Sequence, residues 1–284
     1  MHFKSILFVT ILILFGSLTT PVLSQFDDRS LTDNPQTPAI KEESYFEKPL
    51  QIIDLPTASI LRGGDMELSL RLYEEGGALG RISVGLSRHM MLSVSYGGTN
   101  IIGDQRVNWN PMPGIRMAYR VVEESLVLPA IVLGFDSQGY GKYWPSIEKQ
   151  NASNDSLHDR YAVKSRGFYI VASKGYESLV KIGLHAGMNY SLENSDGDND
   201  PTIFMAMDIL ISRDLSALVE YDFATNDDKI KETNNGRGYL NIGFRWSFAH
   251  NMFLEFDMKN ILAEHKNKSD FLRVLKFSYS TSIK

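Results

Sequence analysis

The chain has 284 residues, 43% hydrophobic and 22% charged, and no cysteine, which excludes a disulfide scaffold, a thiolate zinc site and a thiol nucleophile. Its 29 basic and 34 acidic residues give a net charge of −5, which excludes a nucleic-acid binder with a general basic footprint. Gly 22 and Pro 10 are ordinary and exclude collagen-like or low-complexity chains.

Residues 1–24 read as an export signal. Lys4 forms a basic start, Ile6 to Phe15 is an almost unbroken apolar core, and Pro21-Val22-Leu23-Ser24 precedes a cleavage point before Gln25. The apolar run is too short for a spanning helix, which takes about 20 residues. Cleavage would remove Lys4 and leave the mature chain one charge more negative. Nowhere else do 18 consecutive apolar residues occur, so no transmembrane helix is expected. With no cysteine, a lipid-acylated cleavage site is excluded.

Residues 25–60 are rich in Asp, Glu, Ser, Thr and Pro up to Leu50, a composition that buries too little surface to offset ordering entropy. This segment is expected to be a flexible periplasmic leader or a plug. Gln51-Ile52-Ile53-Asp54-Leu55-Pro56 is the part that would add a strand or insert into the fold.

From residue 61 onward the expected unit is an all-β, transmembrane, antiparallel up-and-down β-barrel of about 12 strands. The clearest strand is 239–248, where Leu240, Ile242, Phe244, Trp246 and Phe248 share one face and Asn241, Gly243, Arg245 and Ser247 the other. The same alternation runs through segments beginning at Met66, Ile82, Leu92, Ile115, Val180, Ala217 and Met252. Segments 126–136, 166–174 and 201–212 alternate less cleanly, and 271–280 places Arg273 among Phe271, Leu275, Phe277 and Tyr279. Most segments reach the 9–11 residues or so that cross a bilayer at a tilt, whereas soluble sandwich strands average about 5–6.

Connections alternate between short and long after the first hairpin. Short ones fall at Ser87-Arg88-His89, Glu123-Glu124-Ser125, Gly175-Tyr176-Glu177, Arg213-Asp214 and Ala249-His250-Asn251. Long ones cover 97–113, 137–163, 191–201, 224–238 and 260–269. Outer-membrane barrels have tight periplasmic turns and longer outer loops, and an even strand number puts both termini on the periplasmic side. The polar faces carry small residues (Ser83, Gly85, Ser93, Ser95, Gly183, Gly187) beside arginine, which suits a crowded interior better than a solvated surface.

Three segments also resemble a known family. Pro56-Thr57-Ala58 with Leu61-Arg62-Gly63-Gly64, the run Gly134-Phe135-Asp136-Ser137-Gln138-Gly139-Tyr140, and Glu220-Tyr221-Asp222 are similar to YjbH-like outer-membrane β-barrel proteins associated with exopolysaccharide production. The resemblance spans roughly residues 56–280. Family members are considerably longer, and this chain has room for one barrel. The resemblance implies an outer-membrane barrel with a link to surface polysaccharide and offers no catalytic residues.

Candidate chemistry is sparse. No His-x-x-x-His pair supports a zinc hydrolase, and no cofactor is expected. His185 is expected to be a hydrogen-bonded lumenal residue. Asp155, His158 and Asp159 could furnish a rim protease pair, as any polar loop could. Asp196, Asp198 and Asp200 resemble a calcium loop, yet Pro201 and Met207 stand where that loop needs Gly and Glu, leaving a weak loop cation site or a solvated acidic tip. Tyr140, Tyr143 and Trp144 with Lys142 suit a sugar platform or an interface belt.

The most informative set is the expected lumen. Glu220, Asp222, Arg245, Glu255 and Asp257 fall on adjacent strands about 4.8 Å apart, so Arg245 is expected to bridge carboxylates on both sides. Arg71, Arg81, Arg116 and Arg120 form a basic wall opposite. Together they would cross-link the lumen or set a transverse field. The expectation is a non-enzymatic outer-membrane barrel of a Gram-negative-type bacterium, a narrow channel or envelope component. Its partners would be outer-membrane lipid and, through the resemblance, polysaccharide or export machinery, with no nucleic acid. Competing classes are a membrane-embedded hydrolase and a secreted soluble barrel holding an apolar ligand.

Overall fold

The computed structural model describes residues 48–145, 159–177, 180–228, 237–262 and 272–283. The expected signal peptide, the leader up to residue 47, Asp155, His158 and Phe271 lie outside the described residues.

Twelve long strands close into one antiparallel barrel. In chain order they are β1 (Asp65–Tyr73), β2 (Gly77–Gly85), β3 (Met90–Thr99), β5 (Gly114–Val122), β6 (Ala130–Asp136), β9 (Gly167–Glu177), β10 (Lys181–Tyr190), β11 (Thr202–Leu210), β12 (Leu215–Asp222), β13 (Tyr239–Ala249), β14 (Met252–Lys259) and β15 (Leu272–Ser282). Each pairs with its neighbour in sequence among these twelve, and β1 closes on β15 from Asp65↔Ser282 to Leu72↔Leu275. Closure leaves no barrel edge with unpaired backbone groups, a condition for crossing lipid. Three short strands lie in the long connections: β4 (Asn108–Trp109) pairs with β3, and β7 (Tyr140–Trp144) with β8 (Arg160–Val163) forms a separate ribbon.

The alternation resolves as an inverted barrel. Ile82, Phe244 and Phe256 on the outside are 52%, 50% and 56% exposed, while Glu220 and Arg116 on the inside are 1% and 2% exposed. Apolar residues outside and charge inside make a transmembrane barrel, the reverse of a soluble one. Exposed aromatics gather near both ends of the wall: Tyr96, Trp109, Phe168 and Tyr190 toward the long loops, Tyr119, Trp246, Phe248 and Phe277 toward the short turns. Amphipathic rings favour the headgroup level. Tyr96 and Trp109 stack at 5.6 Å, so β4 extends the first set. Arg273 faces outward at the start of β15, near the long loops, where its head can reach the headgroups.

Two expectations about the strands need correction. Gly175-Tyr176-Glu177, expected as a short connection, forms the end of β9. The segment expected as a strand over 126–136 begins only at Ala130; Ser125 N–H bonds Leu128 O, Pro129 lacks a ladder N–H, and 123–129 is a turn. Its Leu126 and Val127 side chains are exposed. The imperfect alternation of the other two segments has a packing cause. Val171 on β9 and Phe204 on β11, like Val132 on β6, point inward and are fully buried, so each of these inner faces carries a large apolar residue beside its polar ones.

What they meet inside is residues 48–61. Leu50, Ile52, Ile53, Leu55, Ala58, Ile60 and Leu61 form one buried cluster with Met91, Ala118, Val132, Val171, Phe204 and Leu218. The segment left open above between a flexible leader and a plug therefore runs within the barrel over these residues. Its sequence changes character at Leu50, where apolar residues begin to recur. Complete burial of Ile52, Ile53 and Leu55 supplies about 1.5–3 kcal/mol per side chain, which works against an ordering cost of about 1–2 kcal/mol per residue.

Candidate functional site

The plug is a hairpin. Ile52 N–H donates to Leu55 O at 3.0 Å, Thr57 N–H to Leu50 O at 3.3 Å, and Thr57 Oγ1 to Pro49 O at 2.6 Å, closing a tight turn with Ile53 and Asp54 at its tip. Both limbs begin at the short-turn end. Lys48 Nζ lies 2.6 Å from Glu124 in the β5–β6 turn, and Gly63 leads into β1 beside Ser87 in the β2–β3 turn. The tip reaches the other half, among Arg71, Glu220 and Lys259 near the long-loop ends of β1, β12 and β14.

The wall sorts the hairpin's backbone by polarity. Arg71 donates to Ile53 O (3.2 Å) and Asp54 Oδ1 (2.5 Å), Arg81 to Gln51 Oε1 (2.7 Å), Arg116 to Leu50 O (3.2 Å) and Arg120 to Ala58 O (3.3 Å). Opposite, Glu220 Oε2 accepts the N–H groups of Asp54 (2.9 Å) and Leu55 (3.0 Å), and Ser173 Oγ accepts that of Ala58 (2.8 Å). Acceptors face the basic arc and donors the acidic one, so buried peptide groups are satisfied. Asp54 completes the tip with Lys259 at 2.5 Å. Burial alone would raise its carboxyl, but Arg71 and Lys259 outweigh that and hold it well below the usual carboxylate range.

This geometry places the expected lumen residues and corrects their pairing. Arg71, Arg81, Arg116, Arg120, Glu220, Asp222, Arg245, Glu255 and Asp257 all face the interior, yet the two walls connect largely through the hairpin. Arg245 does not bridge carboxylates: its guanidinium carbon stands 4.1 Å over the Phe253 ring. Register puts Glu255 opposite it, but Glu255 takes Lys276 at 3.3 Å, Asp222 takes Arg166, and Glu220 takes Asn241 and the hairpin. Asp257 lies over Gly243, a close approach that a β-carbon would block, and neither of its oxygens finds a protein hydrogen bond. Among the contributors that escaped the sequence reading are Asp54, Lys259, Lys276, Arg166 and Asp136, which Arg81 reaches at 3.4 Å. A lone acid within Ile52-Ile53-Asp54-Leu55 was the signal available for the first, and position on a polar face for the others.

The long loops carry a second buried charge cluster. Arg160 Nη1 meets Asp196 (2.5 Å) and Asp227 (2.8 Å), Lys164 Nζ meets Asp196 (2.8 Å), and Tyr239 Oη donates to Asp227 (2.7 Å). Glu193 accepts the N–H groups of Tyr161 and Ser165, and burial pushes its carboxyl above the usual range. The expected cation loop is corrected here. Asp196 is neither solvated nor open to a metal, because Arg160 and Lys164 occupy its oxygens; Asp198 is buried and accepts the Asp228 N–H at 3.2 Å, and Asp200 is exposed. Among the described residues no group of three or more His, Cys, Asp or Glu is placed to hold a metal.

Tyr140 is likewise not a surface platform. It is buried, accepts a hydrogen bond from Gln51 Nε2 at 3.0 Å, and lies under Arg71 at 4.2 Å and Lys259 at 5.5 Å. Tyr143 packs edge-on against Tyr161 in the ribbon.

His185 sits in the lumen between Ser173 (Nδ1···Oγ 2.7 Å) and Asp208 (Nε2···Oδ1 2.8 Å). An ionised carboxylate only accepts, which places a proton on Nε2; in the neutral imidazole Ser173 then donates to Nδ1. That is the composition of a nucleophile, base and acid, on β9, β10 and β11. The Ala58 N–H caps the Ser173 oxygen and the hairpin covers the row. Beside the hairpin, one cavity of about 20 Å³ touches Pro49, Leu218 and Arg245, and another of about 20 Å³ touches Asp54, Asp222 and Lys259, each with room for about one water.

Closed strand order, an apolar outside and a charged lumen define a transmembrane barrel with an internal hairpin. No family model and no curated relative matches the chain. Similar solved structures include the KdgM porin (TM-score 0.42, 10% identity, covering 78% of this chain and 99% of that one), the NanC porin (0.39, 12%, 77% and 99%) and the Acinetobacter baumannii outer membrane protein Omp33 (0.37, 7%, 77% and 96%).

Proposed function

We propose that this protein is a non-enzymatic outer-membrane barrel forming a narrow passage that its own 48–61 hairpin closes, with a role in surface polysaccharide export. The observation that carries the closed passage is the sorting of the hairpin's acceptors to the basic arc and its donors to the acidic one. A wall that complements the segment on both sides holds it without a covalent bond. Outer-membrane placement draws on the lipid-type exterior and the export signal over residues 1–24. The polysaccharide role draws on the YjbH-like segments around Pro56, Gly134 and Glu220. In planar bilayers the full chain is expected to stay near zero conductance and a variant lacking 48–59 to open steady channels. Silence of both, with the variant correctly folded, would end the channel reading.

The Ser173–His185–Asp208 row favours one alternative, a membrane-embedded hydrolase. A fluorophosphonate probe is expected to leave Ser173 unlabelled in the full chain and in the variant lacking 48–59. Labelling that Ser173→Ala abolishes would establish the hydrolase instead.

A further inference from the structure

We infer that the hairpin occupies the binding track of an anionic, hydroxyl-bearing chain, and that such a chain enters the barrel by exchanging with it. This rests on the reading of the barrel as a passage closed by its hairpin and names the cargo class. Five cationic side chains on one arc hold six oxygens of the hairpin. They rise from Arg120 in the short-turn half, through Arg116 and Arg81, to Arg71 and Lys259 near the long loops.

Of the hairpin's groups only Asp54 answers this arc with a formal charge, and on the wall Asp136 reaches Arg81 alone among the five; the other hairpin oxygens are backbone carbonyls and the Gln51 amide. Across the lumen, Glu220 and Ser173 take N–H groups. When the hairpin withdraws, Arg71, Arg116, Arg120 and Lys259 each lose an acceptor and Glu220 loses two donors. Charges left without partners in a narrow lumen are costly. The occupant that best restores both walls carries anionic oxygens along one edge and hydrogen-bond donors along the other.

A chain of acidic sugars has both edges, since its carboxylates accept and its ring hydroxyls donate. A neutral sugar chain satisfies Glu220 and leaves the arc without charge. A cationic chain is repelled by the arc.

The test uses the full chain with Thr57→Cys, which introduces the molecule's single thiol at a buried hairpin position. Hexamannuronate is expected to speed maleimide labelling of this thiol about tenfold or more, with maltohexaose and hexaglucosamine at equal concentration leaving it slow. Equal acceleration by all three, acceleration by hexaglucosamine alone, or no acceleration by hexamannuronate overturns the inference, and an equal effect of hexaglutamate overturns its hydroxyl part. A second measurement uses the variant lacking 48–59. Anion-selective current that hexamannuronate blocks, with block weakened by Arg116→Gln, supports the track. Current without anion preference and with equal block by every hexamer defeats the track while leaving the passage standing; absence of current in folded protein defeats the passage itself.

Discussion

Replacing Asp54 with alanine is expected to unseat the hairpin and convert a closed barrel into a conducting one. Asp54 is 1% exposed and joins Arg71 on β1 to Lys259 on β14, each at 2.5 Å. Removing one partner from a buried charge set leaves the others uncompensated, at a cost of about 3–5 kcal/mol. That shifts docking of the hairpin by about a hundredfold or more. Bilayer recordings should show openings that the unaltered protein lacks, with strand content unchanged by circular dichroism. A closed Asp54→Ala barrel would mean that the apolar cluster around Ile52, Ile53 and Leu55 holds the hairpin alone.

The same residue predicts a pH dependence. Its carboxyl titrates below the ordinary 3.8 when the hairpin is docked. A depressed value means that the stabilisation is fully present above the undocked pKa and is lost as pH falls through the docked one. The hairpin should stay seated at pH 5 and release only in stronger acid. Asp54→Ala should flatten that profile, and an unchanged acid release in the variant would assign the titration elsewhere.

Arg160→Ala is the second large effect. Arg160 is fully buried, and its fork reaches Asp196 and Asp227 while Nε bonds Tyr161 O at 3.0 Å and Nη2 bonds Ala162 O at 3.2 Å. Without it two carboxylates share Lys164 and Tyr239 in a dry site, again about 3–5 kcal/mol of lost local stability. The β7–β8 ribbon should lose hydrogen-exchange protection and be cut by protease while the barrel strands stay protected. Arg160→Lys, a point charge without the planar fork, should recover only part of that protection. Full protection in Arg160→Ala would show that Glu193 and backbone pairing suffice.

Most of the wall was legible from the sequence because strand side chains alternate with period two. Phe244 and Trp246 against Arg245, or Phe256 against Glu255 and Asp257, leave one way to divide lipid from lumen. The three segments that read less cleanly were informative too, in a way that one strand at a time could not reveal. Val132, Val171 and Phe204 spoil the alternation because the hairpin covers them from inside. Pairing was the weaker part of the reading. Arg245 and Glu255 are opposite in register, yet Phe253 and Lys276 take their heads, since long side chains in a lumen choose among several neighbours within reach.

By itself, the sequence determined the strands, the inverted sense of the barrel, the alternation of short and long connections and the inward direction of the nine expected lumen charges. These follow from local periodicity and from the incompatibility of charge with lipid. Only the tertiary structure decided what those charges hold. The destination of residues 48–61 depends on side chains far away in sequence, such as Glu220, which accepts the Asp54 and Leu55 N–H groups, and Lys259, which pairs with the Asp54 carboxylate. No local pattern encodes that match. It exists because barrel closure brings four arginines from the first half of the chain, joined by Lys259 of β14, opposite Glu220 and Ser173 of the second, leaving between them a space that a polypeptide hairpin fills. The 284 residues and ordinary 43% hydrophobic share thus divide into a lipid-facing surface and a smaller apolar core inside the barrel.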